Sequence, residues 1–214
     1  MKLGVLGGTF NPIHLAHLRL AEELRESLSL ERVLLVPAGD PPLKRGGVAP
    51  AHHRLEMVRR AAAANPGLEV DDLELRRAGP SYTVDTLAAL AARHPQAELW
   101  FLVGADTLPE LGAWREPERL FQLANFAVAT RPGYARGLRE LLPSALATSF
   151  RDGTAGLVHA SGHELRAVPF TPLEISARDV RRRAARGASL RYRVPDEVRE
   201  YIAKHHLYRE SEVD

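Results

Sequence analysis

Cysteine is absent from the 214 residues. That excludes a disulfide framework, a thiolate metal site, an iron–sulfur cluster and a cysteine nucleophile. Lysine is almost absent too: only Lys2, Lys44 and Lys204 occur, so 26 of the 29 basic residues are arginine. No apolar run approaches the roughly 20 residues of a membrane span. The opening residues 1–7 are too short and glycine-rich for a secretory signal, so the expected compartment is the cytoplasm and no membrane partner is expected. Neither sign of charge dominates. With 29 basic and 27 acidic residues the formal net charge is +2, which argues against a general polyanion binder.

What is present fits one α/β domain with a core large enough to need no staples. Residues 2–6 read as a short buried strand ended by Gly7-Gly8. Leu15, Leu18, Ala21, Leu24 and Leu28 fall at helical spacing and predict a helix from about His14. Val33 to Val36 is a second apolar run. Residues 51–64 predict a helix that stops at Asn65-Pro66-Gly67. Residues 68–75 alternate like a strand with one wet face. A helix over 83–93, a continuous apolar strand over 99–103, a short helix over 117–123 and a strand over 126–129 follow. Residues 137–162 carry no clear pattern. A last strand at 165–170 precedes two arginine-rich helices near 176–186 and 195–205. Apolar strands alternating with helices predict a doubly wound, Rossmann-like parallel sheet with helices on both faces. One domain spans 1–214, with a C-terminal helical segment at about 172–208.

The turn after the first strand carries the strongest functional signal: Gly7-Gly8-Thr9-Phe10-Asn11-Pro12-Ile13-His14-Leu15-Ala16-His17. Two glycines let backbone approach a phosphate closely, and a following helix supplies free N–H groups and a positive dipole end. The spacing is neither that of the dinucleotide fingerprint nor that of the P-loop. His14 and His17 are three apart and share a helix face, where both can donate to phosphate oxygens. Without context the pair also reads as one buried and one surface histidine. A zinc reading needs a third ligand to which the sequence does not point.

This string resembles the GTFxPxHxGH signature of the nucleotidyltransferase superfamily, with Ala16 where the family has glycine. A second match lies at 175–181, Ile-Ser-Ala-Arg-Asp-Val-Arg, similar to the family's late Ile-Ser-Ser-Thr-x-x-Arg. Here Ser176 can cap a helix, Arg181 falls near the same end, and Ala177 and Arg178 replace two hydroxyl residues. Further landmarks resemble bacterial nicotinate-nucleotide adenylyltransferases: Pro41-Pro42-Leu43-Lys44 (Leu43 stands where the family has His), Pro80-Ser81-Tyr82-Thr83, Gly104-Ala105-Asp106 followed by Trp114, Arg131-Pro132-Gly133, and the tail with Tyr201-Ile202 and Leu207-Tyr208. The resemblance runs nearly end to end and is weakest over 136–168.

The resemblance implies adenylyl transfer from ATP to nicotinate mononucleotide, giving nicotinate adenine dinucleotide and pyrophosphate in NAD biosynthesis. The attacking phosphate is already anionic, so no enzyme nucleophile is required, in keeping with the missing cysteine. The chain must align two polyanions and neutralise charge on the leaving group. By resemblance, Gly7, Gly8, Thr9 and Phe10 with His14 and His17 hold the ATP phosphates. Ser176 and Arg181 close on the triphosphate from the other side, while Gly104, Asp106, Arg131 and Ile175 line the adenosine site. His14, His17 and Arg181 are the catalytic candidates. Lys44, Tyr82, Thr83 and Trp114 are assigned to the mononucleotide, with Trp114 facing the pyridinium ring. Mg²⁺ is expected to be held mainly by the phosphates. The alternatives are an adenylyltransferase of the nicotinamide-mononucleotide or pantetheine-phosphate type, or a non-catalytic nucleotide- or RNA-binding protein using the arginines of 178–193. RNA is the less favoured partner, because acidic residues balance those arginines. A homo-oligomer stays open.

Overall fold

Eight strands form one sheet in the order β3-β2-β1-β4-β5-β8-β7-β6. A computed structural model describes residues 1–42, 47–131 and 137–209. The first six strands in that order are mutually parallel: β3 (Leu68–Val70), β2 (Arg32–Pro37), β1 (Lys2–Gly8), β4 (Glu98–Gly104), β5 (Asn125–Thr130) and β8 (Glu164–Pro169). β7 (Leu157–His159) and β6 (Phe150–Asp152) extend one edge in antiparallel fashion. The strand order reverses at β1, which is flanked by β2 and β4. That is the switch point where ligands bind in open α/β sheets.

The central strands are apolar on both faces because helices cover both. Leu3, Val5, Leu99, Phe101 and Val103 join one core with α4 (Thr83–Arg93) and α5 (Pro117–Leu123). Leu6, Leu35, Trp100, Leu102 and Ala127 join the other. That second core also takes α1 (Leu15–Ser27), α2 (Ala51–Ala62), α8 (Ala177–Ala185) and α9 (Asp196–Lys204). Alternate residues of a strand point to opposite faces, so each run of four or five apolar residues feeds both layers. Trp100 is core, as its apolar strand predicts, with its indole N–H donating to Glu98 Oε1 at 2.8 Å.

Three stretches differ from the sequence reading. The alternating stretch 68–75 is a strand only over β3. Asp71 Oδ1 accepts from Leu73 N at 3.0 Å and turns the chain into the short helix α3 (Leu73–Arg76), because the local side-chain bond outcompetes the ladder. Residues after Gly104 form a 3₁₀ helix (Ala105–Ala113) that no apolar period announces. The unpatterned stretch 137–162 folds into α6 (Leu138–Leu141), α7 (Ser144–Ala147), β6 and β7. These elements are three or four residues long, too short to show a period. Among the described residues no helix is long and apolar enough to cross a membrane.

Candidate active site

A cavity of about 370 Å³ opens at the carboxyl ends of β1, β2 and β4. Gly7, Gly8 and Thr9 form one wall; Ala38, Pro41 and Pro42 form a second; Tyr82, Thr83, Trp114 and Arg115 complete it. Residues from the opening turn and from the two mononucleotide landmarks at 80–83 and 114 therefore share one space. Lys44 lies outside the described residues.

The turn itself is held in an unusual shape. Phe10 has a φ of 45°, a left-handed conformation that a bulky residue adopts only when its surroundings enforce it. Its ring is buried and meets His17 edge-on, with ring centres 5.2 Å apart, so only Phe10 backbone is left to face a ligand. His14 caps α1 and stacks on His17 at 3.6 Å. The His14 N–H donates to His17 Nδ1 at 3.2 Å. With Nδ1 accepting, the neutral His17 ring carries its proton on Nε2, a donor fixed in direction. Burial lowers the His14 pKa to about 4, so that ring is neutral near pH 7. The amide of Leu15, by contrast, donates to Arg193 O at 2.9 Å. The start of α1 is therefore partly closed by the protein itself and is not a fully open helix end.

The end of α4 is open. Its N-cap is Tyr82, no side chain caps it, and both Tyr82 and Thr83 line the cavity, so first-turn N–H groups lie uncapped beside that space. Beside it lies a polar network whose Ser81 and Glu74 also line the cavity, and of which the sequence reading marked only Ser81. Ser81 Oγ accepts from Gly39 N at 2.9 Å and Asp40 N at 3.2 Å. Thr86 Oγ1 donates to the buried Glu74 carboxylate and accepts from Arg77 Nη2 at 3.3 Å. Burial raises the Glu74 pKa, against the hydroxyls of Thr86 and Ser81 and the charges of Arg77 and Arg54. Gly39 is required there, since a Cβ would stand 2.4 Å from Glu74 O.

Arg54 is 1% exposed and binds three segments by their carbonyls: Ala49 O at 2.9 Å, Thr9 O at 2.8 Å and Gly39 O at 3.1 Å. In sequence it is one arginine on an amphipathic helix. Arg115, in the bend between the 3₁₀ helix and α5, carries no mark in the sequence either, since an arginine in such a link reads as solvated. Its guanidinium lies 4.7 Å from the Tyr82 ring centre and 4.0 Å from Asp85 Oδ2. Trp114 ends the 3₁₀ helix instead of sitting in a polar loop, and packs edge-on against Phe101. Its indole N–H is buried without a hydrogen-bond partner among the described residues.

The distal motif reaches the same turn. Ser176 caps α8, its Oγ accepting from Asp179 N at 3.1 Å. Arg181, one turn later, donates from Nη1 to Asn11 O at 2.7 Å. The structure thus brings Gly8, His17 and Arg181 to one turn from opposite ends of the chain. Gly104 ends β4 and Arg131 follows β5 at the same carboxyl end of the sheet, and Asp106 folds back until its Oδ1 would lie 2.5 Å from a Cβ on Gly104. Ile175 packs on the second core. Of the predicted site residues, Phe10, His14, His17, Gly104, Asp106, Arg131, Ile175, Ser176 and Arg181 do not line the cavity described above. Asp106 does not cap the 3₁₀ helix, whose N-cap is Gly104. Much of the arginine-rich stretch is engaged internally: Asp179 pairs with Arg182 at 2.5 Å and Arg193 at 2.9 Å, and Arg183 donates to Ser189 O.

Chemically the turn offers N–H groups, imidazole and guanidinium, all donors. Among the described residues no cluster of three or more His, Asp or Glu could hold a metal ion. A divalent cation suits such a surface only when it arrives on phosphate oxygens and water. A nucleophile–base pair is not what this geometry supplies; fixed donors for an anion are.

The model of the cytidylyltransferase-like family matches residues 5–183. A protein of Citrifermentans bemidjiense that bears the name "Probable nicotinate-nucleotide adenylyltransferase" is 47% identical over 212 residues, covering 97% of this chain and 98% of that one. Its counterpart from Trichlorobacter lovleyi is 48% identical, covering 97% and 99%. Among solved structures, the Plasmodium falciparum nicotinic acid mononucleotide adenylyltransferase complexed with NaAD superposes with a TM-score of 0.74 at 18% identity, covering 97% of each chain. At that identity the likeness speaks for the fold.

Proposed function

The chain belongs to the cytidylyltransferase-like family, where its full-length relatives are nicotinate-nucleotide adenylyltransferases, and from that membership we infer its reaction. It transfers the adenylyl group of ATP to nicotinate mononucleotide, forming nicotinate adenine dinucleotide and pyrophosphate, a step of NAD biosynthesis. The observation that carries this reading at the level of the site is one cavity shared by the opening turn and by Tyr82, Thr83 and Trp114.

The mononucleotide phosphate oxygen attacks the α-phosphorus of ATP in line. The new P–O bond forms as the bond to the β-phosphate oxygen breaks, and that electron pair leaves on pyrophosphate. No covalent enzyme intermediate arises. We assign the N–H groups of Gly8, Thr9 and Phe10, the Nε2–H of His17 and the neutral His14 ring to the phosphate oxygens. Arg181 takes charge that builds on the leaving group. Donors fixed before the reaction contribute most here, and losing one costs about a hundredfold or more. Mg²⁺, entering on the ATP phosphates, supplies further neutralisation. Gly104, Asp106, Arg131, Ile175 and Ser176 are assigned to adenosine and the triphosphate tail. The first-turn N–H groups of α4 suit the nicotinate carboxylate, because a helix N-terminus favours an anion, and Trp114 offers its face to the pyridinium ring. We place the enzyme in the cytoplasm, as the sequence reading expects.

The test is pyrophosphate release from ATP and Mg²⁺ with nicotinate mononucleotide, nicotinamide mononucleotide or pantetheine phosphate in turn. The acid should give the highest kcat/KM. A higher value with either alternative, or no release with the acid, overturns the reading.

A further inference from the structure

The C-terminal pair Leu207-Tyr208 belongs to the landmarks of the family resemblance, yet the chemistry above makes no use of it. Tyr208 lies just past the end of α9, and its hydroxyl donates to Asn11 Oδ1 at 2.9 Å across 197 positions of sequence. Asn11 is 3% exposed and follows Phe10 in the phosphate turn. Its Oδ1 also accepts from Ala49 N at 3.1 Å, its Nδ2 donates to Gly47 O at 2.9 Å, and its carbonyl accepts from Arg181 Nη1 at 2.7 Å. Bonds from three distant segments meet on one residue of the turn. We propose that Tyr208 is a positioning residue for ATP: by holding Asn11 it fixes the donors on either side of Asn11 before the nucleotide arrives.

The turn needs such a hold. β1 ends at Gly8, and beyond it Phe10 keeps a left-handed backbone that relaxes unless its neighbours are pinned. The side chain of Asn11 substitutes for the missing strand partners. Its oxygen faces two donors and its nitrogen a carbonyl, so the amide has one satisfied orientation. Burial pushes the Tyr208 hydroxyl well above the ordinary phenol range, with Arg181 and Arg54 opposing. The hydroxyl therefore remains a donor throughout the neutral range. Arg181 and Tyr208 reach Asn11 from two different C-terminal elements, which couples the segment after α9 to the turn and to the guanidinium assigned to the triphosphate.

This inference rests on the proposed function, and the experiment separates the two. Tyr208→Phe keeps the ring and deletes one O–H. In parent and variant one measures kcat and KM for each substrate, the affinity for a non-hydrolysable ATP analogue by calorimetry without mononucleotide, and the melting temperature. Losing one hydrogen bond to a buried acceptor should lower kcat/KM for ATP by about tenfold, weaken analogue binding to a similar degree, and leave the KM for the mononucleotide within about twofold. A lower melting temperature with unchanged ATP constants overturns the proposal, as do equal losses for both substrates. A parent that binds the analogue but releases no pyrophosphate would instead count against the function, and the analogue titration would still decide the role of Tyr208.

Discussion

The two helices that begin at the active-site cleft satisfy their unpaired N–H groups in opposite ways. At α1, Leu15 N–H is bonded to Arg193 O and His14 N–H to His17 Nδ1. That end is filled by the protein, and what it presents is imidazole. At α4 no side chain caps the first turn, and the space in front of it is cavity. That end presents backbone. In the proposed assignment a triphosphate, large and multiply charged, would meet side chains that reach, and a flat carboxylate would meet the uncapped helix end. The lesson is that a helix N-terminus in an anion site is not by itself the binding group; the residues around it decide whether its N–H groups are still available.

The largest effect should come from removing the α1 donor. His17→Ala is expected to lower kcat by about a hundredfold or more, as loss of one preorganised donor does. The KM for the mononucleotide should stay near the parent value, and circular dichroism should show an intact fold. Turnover equal to the parent's would remove His17 from the chemistry.

At α4 the contribution is backbone, so it takes proline to remove it. Thr83 is the first helical residue, where proline is tolerated, and Tyr82 before it is extended with φ −90° and ψ 132°, as a residue preceding proline should be. Thr83→Pro deletes one N–H without disturbing the helix. The preference for nicotinate over nicotinamide mononucleotide should fall by about tenfold or more, the range for a hydrogen bond to a charged group. An unchanged acid-to-amide ratio would place the carboxylate elsewhere in the cavity. Trp114→Ala, which strips the aromatic wall beside that helix end, should raise the mononucleotide KM by about fivefold, in line with a cation–π contact of order 1 kcal/mol. Steady-state kinetics with ATP saturating reads it directly, and a change confined to the ATP KM would reverse the division of the pocket.

The contrast between the two ends also explains what could be read from the chain. Groups assigned to ligand cluster in short strings: Gly7 to His17, Ser81 to Thr83, Ser176 to Arg181. Local spacing marks them, and the sheet with its switch point at β1 brings Gly7 to Thr9 and Ser81 to Thr83 to one cavity and Arg181 to Asn11 of the turn. The groups behind them carry no such mark. Arg54 binds carbonyls of residues 9, 39 and 49, Glu74 binds Thr86, and Asn11 is met by Tyr208 from the far end of the chain. Each sits at a position that is polar on the helix or in a turn, where a solvated residue and a buried hub look alike. The strands β7 and β6 were illegible for a simpler reason: three residues make no period, and the pairing of β7 with β8 and of β6 with β7 is set by tertiary contact.

The smallest effect concerns the closed end of α1 as a titrating element. His14 is 5% exposed, and burial holds its pKa near 4 instead of the ordinary 6.5. Its folded-state pKa is therefore depressed, and between those two values the unfolded chain binds the extra proton. Stability must then rise with pH through that window and fall as the solution is acidified. Going from pH 7 to pH 6 crosses only its upper edge, which corresponds to about 1 kcal/mol or less, or a drop of about 2–4 °C in melting temperature for a chain this long. Glu74 has the opposite sign: its pKa is raised by burial, so protonation near its own range favours the folded state and does not account for a loss at pH 6. His14→Asn keeps a polar cap but removes the titration, and its melting temperature should be flatter than the parent's between pH 7 and 6. Parallel curves for the two proteins would mean that the imidazole is not kept neutral by burial, and that the end of α1 is more open to water than the bonds from Arg193 and His17 imply.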